Sequence, residues 1–151
     1  MKYLSTLLSV LVIFSSSAFA KKLDVGVNIP ADLGETFTEE KVSYEQFKGQ
    51  PFYMLVWDSA NKQLLRDVLI RTEDSPAPVV VMCLGRVKVG SRRKDYTECE
   101  YQADILNDDR VTLIKNKRNR ITKSVKLPQA DHLFVIDNKG VVAQKIRLFA
   151  R

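Results

Sequence analysis

The sequence predicts an α/β fold: a mixed β-sheet flanked by helices and finished by a C-terminal β-hairpin. Three observations carry this prediction. Two uninterrupted apolar runs, "PFYMLVW" and "VVVMCL", have the branched and aromatic content of strands buried on both faces. Each is followed by a segment whose apolar residues recur at helical spacing. The chain then closes on "HLFVIDNKGVVAQKIRL", two apolar runs joined by Asp137-Asn138-Lys139-Gly140, where glycine supplies the positive φ a tight turn needs. Buried strands alternating with helices require helices on both sheet faces, and the closing hairpin makes the sheet mixed.

Taken in order, the chain begins with an export signal. In "MKYLSTLLSVLVIFSSSAFA", Lys2 precedes a short apolar core, Leu4 to Phe14, and Ala18-Phe19-Ala20 presents small residues where a signal peptidase cuts. The apolar part is short for a membrane span, and no cysteine follows the cut to carry a lipid anchor. The expected destination is the bacterial periplasm. Removing residues 1–20 of the 151 leaves 131, residues 21–151, enough for one domain with its own core. That part carries 23 basic and 18 acidic side chains, a net charge of +5. An exported protein has little occasion to meet nucleic acid, so its basic character points to an acidic protein or anionic lipid, or simply to a solvated face.

Leu23, Val25 and Val27 alternate as a short edge strand that Pro30 and Gly34 end. Ser43 with Gln46 three residues on, and Gly49 after them, mark a brief helical turn. Asp58 or Ser59 then stands ready to cap a helix whose inner side is Leu64, Leu65, Val68 and Leu69. Tyr96, Cys99, Ala103 and Leu106 have the spacing of a second helix. "VTLI" reads as a short strand or loop, and "NRITKSVKL" as a helix or an extended piece that Pro128 stops.

Four of these pieces resemble the thioredoxin-like superfamily, and within it the exported TlpA/ResA type. They are "VSYEQFKGQPFYMLVWDSA", "NKQLLRDVL", "VVVMCLGR" and "NRITKSVKLPQADHLFVIDNKGVV", which together span most of residues 42–146. The resemblance implies a strand ending in an aromatic residue, a redox turn, a long helix, and a basic helix leading into a cis-proline loop. This chain departs from that pattern where the chemistry lies. In the family a Cys-X-X-Cys turn follows the aromatic residue, with its first thiol acidified by the helix N-terminus. Here Trp57 is followed by Asp58, Ser59, Ala60 and Asn61. The cis-proline position falls near Ala130, Asp131 and His132, none of them proline. The family's final helix is also missing after the hairpin. The sheet face it would cover is left to the N-terminal segment, the basic segment or a partner.

The remaining candidate sites are few. Cys83 and Cys99, with fifteen residues between them, either form a structural disulfide or serve as an unusual redox pair, and the strand position of Cys83 favours the former. Ser59, His132 and Asp131 have the residue types of a hydrolytic triad without its strained elbow or oxyanion site. One histidine and two separated cysteines make no metal cluster, and no cofactor is expected. Lys115, Lys117, Arg118, Arg120 and Lys123 form a basic patch on the expected helix and its flank, suited to an acidic partner. These features together predict a periplasmic thioredoxin-like protein without redox activity, acting as a binding or accessory module. An oxidoreductase using Cys83 and Cys99, or a small inhibitor or immunity-type protein, are the alternatives.

Overall fold

The computed structural model describes residues 20–128 and 131–148, so residues 1–19 of the leader and Ala130 lie outside the described residues. In chain order the elements are β1 (Lys21–Lys22), β2 (Asp32–Glu35), β3 (Lys41–Ser43), a 3-10 turn (Tyr44–Phe47), β4 (Phe52–Asp58), α1 (Lys62–Arg71) and β5 (Val79–Leu84). There follow β6 (Arg86–Val87), β7 (Lys94–Asp95), α2 (Thr97–Ile105), β8 (Val111–Asn116), β9 (Arg120–Thr122), β10 (Val125–Lys126), β11 (His132–Ile136) and β12 (Val142–Arg147).

The central sheet has the order β12-β11-β4-β5-β8. β4, β5 and β8 run parallel, while β11 is antiparallel to both β4 and β12. The sheet is therefore mixed, as the alternation of strands and helices predicts, and "VTLI" belongs to an edge strand. The closing turn is built as its residues suggest. Asp137 Oδ1 accepts the N–H groups of Lys139 (2.8 Å) and Val141 (2.9 Å), and Gly140 takes a φ of 79°. Those backbone donors, Val141 first, hold the Asp137 carboxyl below its usual range.

Strand periodicity divides the core in two. Leu55, Trp57, Val79, Val81, Cys83, Leu113 and Leu133 face one way, and meet Leu64, Leu65 and Val68 of α1 and Cys99 of α2. Phe52, Met54, Val56, Val80, Met82, Ile114, Phe134 and Ile136 face the other way. There they pack on Leu23, Leu33, Val42 and Phe47 of the N-terminal segment and on Val125 and Leu127.

Three expectations are corrected here. Both described α-helices cover the same face, and the opposite face is covered by β-hairpins and the 3-10 turn. The basic segment takes the extended course of the two open to it, as the β9–β10 hairpin whose β10 pairs in parallel with β1, and is not the helix the resemblance implies. Asn119 enters the left-handed region (φ 52°), and Thr122 and Ser124 share a hydroxyl hydrogen bond of 2.8 Å at the turn. β-branched Ile121, Thr122 and Val125 suit this extended course better than a helix. Finally, the N-terminal edge strand is only two residues long. A turn from Asp24 to Val27, with Gly26 at φ 83°, carries the chain from β10 across to the start of β12, where Gly26 and Val27 bond to Val142, and leaves Val25 exposed while Leu23 stays buried.

Candidate functional site

The turn from Trp57 to Asn61 lies at the C-terminal end of β4, beside the same ends of β5 and β8, where ligands of parallel sheets gather. Trp57 is fully buried, and its indole N–H donates to the Asn61 carbonyl at 2.8 Å, which ties the strand end to the helix start. Asp58 does not cap α1. It is the last residue of β4, and its carboxylate accepts the Ala60 N–H at 2.9 Å, turning the chain locally. Ser59 does not cap the helix either; it is 2 % exposed, packed inward at the bend. The N-cap is Asn61, so α1 begins four residues after the strand ends.

Across the sheet, His132 is the register partner of Val56, which sets Asp131 and His132 beside this turn as the resemblance implies. Asp131 has a φ of 54°, and its carbonyl accepts the Leu148 N–H at 2.8 Å. One of its carboxylate oxygens is buried without a hydrogen-bond partner. No peptide bond among the described residues is cis. The His132 ring stacks on Phe134 (6.2 Å between centroids), and Phe134 belongs to the face away from α1. Burial of Ser59 and this turning-away of His132 leave the triad residues without a shared open surface.

Cys83 and Cys99 form a disulfide joining β5 to α2, with 6.2 Å between their Cα atoms. Both residues are 0 % exposed, at the centre of the helix-covered core. Neither sulfur-bearing residue reaches the surface, so the bridge lies away from the turn at the end of β4.

Two grooves stand out, the first of them beginning at Asn61 of the turn. A groove of about 520 Å³ runs between α1 and the β11–β12 hairpin, lined by Leu64, Val68, Leu133, Ile146 and Leu148. Ile146 is 41 % exposed at its edge. A second groove of about 460 Å³ lies where β2, β8 and β9 meet, and holds Lys41, Lys115, Lys117, Arg118, Arg120 and Lys123 against Asp32 and Glu35. Asn116 organises its wall: its side-chain N–H donates to the Arg120 carbonyl (2.9 Å), and its own carbonyl accepts the Tyr96 hydroxyl (2.7 Å). Burial pushes the Tyr96 phenol up. Lys115 rests over the Tyr96 ring at 5.0 Å and reaches Glu100 at 3.7 Å, so part of its charge is already engaged.

Sequence reading missed a second basic segment. The β6–β7 hairpin carries Arg86, Lys88, Arg92, Arg93 and Lys94. The Lys94 ammonium donates to Asn119 Oδ1 at 2.6 Å, which joins this hairpin to the loop bearing Lys117 and Arg118. Burial pushes the Lys94 amine down. The absence of any acid between Leu84 and Asp95 was the signal for it, obscured because the two segments are far apart in sequence. Among the described residues, no group of three or more His, Cys, Asp or Glu could hold a metal. No described helix is long and apolar enough to cross a membrane.

The five-stranded mixed sheet, the helix after its central strand and the closing hairpin define a thioredoxin-like fold. Solved structures agree. A thiol peroxidase from Chromobacterium violaceum superposes with a TM-score of 0.60 at 14 % identity, over 85 % of this chain and 78 % of that one. A putative thiol:disulfide interchange protein DsbE from Chlorobium tepidum gives 0.52 at 17 % identity, over 85 % and 88 %. A putative protein disulfide isomerase from Bacteroides thetaiotaomicron gives 0.54 at 14 % identity, over 85 % and 82 %. No family model and no curated protein matches the chain by sequence. At such low identity the likeness is one of fold, and function has to be argued from the site.

Proposed function

We propose that this is a periplasmic thioredoxin-like protein that binds another protein and performs no thiol–disulfide exchange. One observation carries the reading. The strand-to-helix turn, where the fold's redox chemistry would sit, is Asp58-Ser59-Ala60-Asn61, while the chain's two cysteines are locked together in the interior. Exchange requires a thiolate at an accessible, electropositive position, and neither sulfur has one. The leader-like first twenty residues and the disulfide both fit an oxidising compartment. The partner is another periplasmic protein. The groove between α1 and the β11–β12 hairpin, apolar at its floor and rimmed by Gln63, Asp67, Arg71 and Arg147, is the surface we assign to it.

Thiol titration and a reductase assay test this directly. The purified protein should show no titratable thiol when native, two after denaturation with reductant, and no turnover of a test disulfide in the presence of dithiothreitol. Catalytic turnover that disappears in Cys83→Ala would replace the binding reading with an unusual oxidoreductase. Co-purification from periplasmic extract, lost when Leu133→Glu opens the groove to charge, would support the binding reading.

A further inference from the structure

We infer that the β6–β7 hairpin is a docking tip for an anionic lipid surface. The hairpin leaves the end of β5 and returns through Lys94–Asp95, paired Arg86 to Asp95 and Val87 to Lys94. Its tip is a β-turn in which Ser91 N–H donates to the Lys88 carbonyl at 3.0 Å and Gly90 takes a φ of 77°. This turn puts Val89 at the apex. Val87 is 63 % exposed, and Val89 is exposed completely. Neither of the two grooves described above takes a lining residue from the hairpin. The tip is convex, and a protein partner would have to supply a pocket for it.

What flanks the valines names the occupant. Arg86, Lys88, Arg92, Arg93 and Lys94 lie within nine residues, with Asp95 the one acid of the hairpin. Asp95 is itself engaged: its carboxylate accepts from the Thr97 N–H (3.0 Å) and hydroxyl (2.7 Å) and lies 3.7 Å from Lys88. The Lys94–Asn119 hydrogen bond extends the cationic surface to Lys117, Arg118 and Arg120. Branched apolar side chains at a protruding apex, ringed by cations, match the two layers of an anionic bilayer surface. The valines enter the interface and the cations meet phosphates just above it. An acidic protein would satisfy the cations, but would need a fitted pocket of its own to take Val89 out of water, which a lipid surface does not.

The experiment is vesicle co-sedimentation at low and physiological salt, using protein with its leader removed; every described strand and helix lies beyond residue 20. Vesicles containing phosphatidylglycerol should retain the protein about tenfold better than phosphatidylcholine alone. The double variant Arg92→Glu/Arg93→Glu should lose most of that advantage. Val89→Asp should weaken retention by roughly threefold. The control Lys48→Glu, at a distant exposed site, should change little, and all variants should melt at the wild-type temperature. Equal retention on both lipids, or retention indifferent to the hairpin variants, overturns the proposal. So does binding of polyglutamate without binding of vesicles, which would give this surface to an acidic protein.

Discussion

Trp57 and Cys83 are neighbours across β4 and β5, one residue from a turn and one within a strand. In a thioredoxin-like fold the sulfur belongs at the turn, where a helix N-terminus stabilises a thiolate and solvent admits the second thiol. Here the turn is polar and sulfur-free, and the sulfur lies one strand over, bonded to Cys99 under two helices. The same element in a different environment is a buried bridge between a strand and a helix. The lesson is that reactivity in this fold depends on the position of the sulfur, because burial removes both the thiolate and its access. The helix start has kept its own contribution, with Asn61 at the N-cap and Trp57 anchoring it.

Breaking either half of that comparison has a measurable cost. The largest belongs to Trp57→Ala. It removes a fully buried indole and its hydrogen bond to Asn61, and should cost about 3–5 kcal/mol in urea unfolding. A loss below about 1 kcal/mol would mean that the turn is not anchored as described. Next comes the disulfide. Cys83→Ala/Cys99→Ala releases a closed loop with a sequence separation of 16, worth about 3 kcal/mol. It should lower the melting temperature by roughly 10 °C without altering partner capture. Partner capture that vanished along with the disulfide, in protein still folded, would give the sulfur a functional role.

The smallest change sharpens the contrast. Asn61→Cys puts a thiol back at the N-terminus of a ten-residue helix. Alkylation rate against pH should give that thiol a pKa below the ordinary value of about 8.5. An ordinary or raised value would show that the helix start has lost its electropositive character together with its cysteines.

Much of the architecture was legible in the sequence. β4 and β5 are readable because both faces of each are buried, so the apolar run is continuous. α1 and α2 are readable because only one side of each is buried. The hairpin announces itself through Asp137 and Gly140, whose local chemistry does not depend on distant residues. What was obscured depends on distant residues. The N-cap position fell to Asn61, whose side chain makes no capping hydrogen bond, because Asp58 was already paired in β4 and Ser59 was drawn into the core; no local preference records that competition. The segment 117–126 has too few apolar residues to declare a period; pairing with Lys21–Lys22, about a hundred positions earlier, made it a hairpin. The basic surface was half seen, since the cations of 86–94 and those of 115–123 are brought together by contacts of Lys94 with Asn119 and Asn116, far from it in sequence.

The sequence by itself therefore determined the central strands β4, β5, β11 and β12, the two helices and the absence of thiols at the turn, because side-chain period and residue identity are local properties. The tertiary structure alone decided that both helices share a face, that Cys83 meets Cys99 out of reach of solvent, and that two separate runs of cations form one surface. Those depend on which strands pair and which faces meet, and pairing brings together residues that carry no mark of one another along the chain.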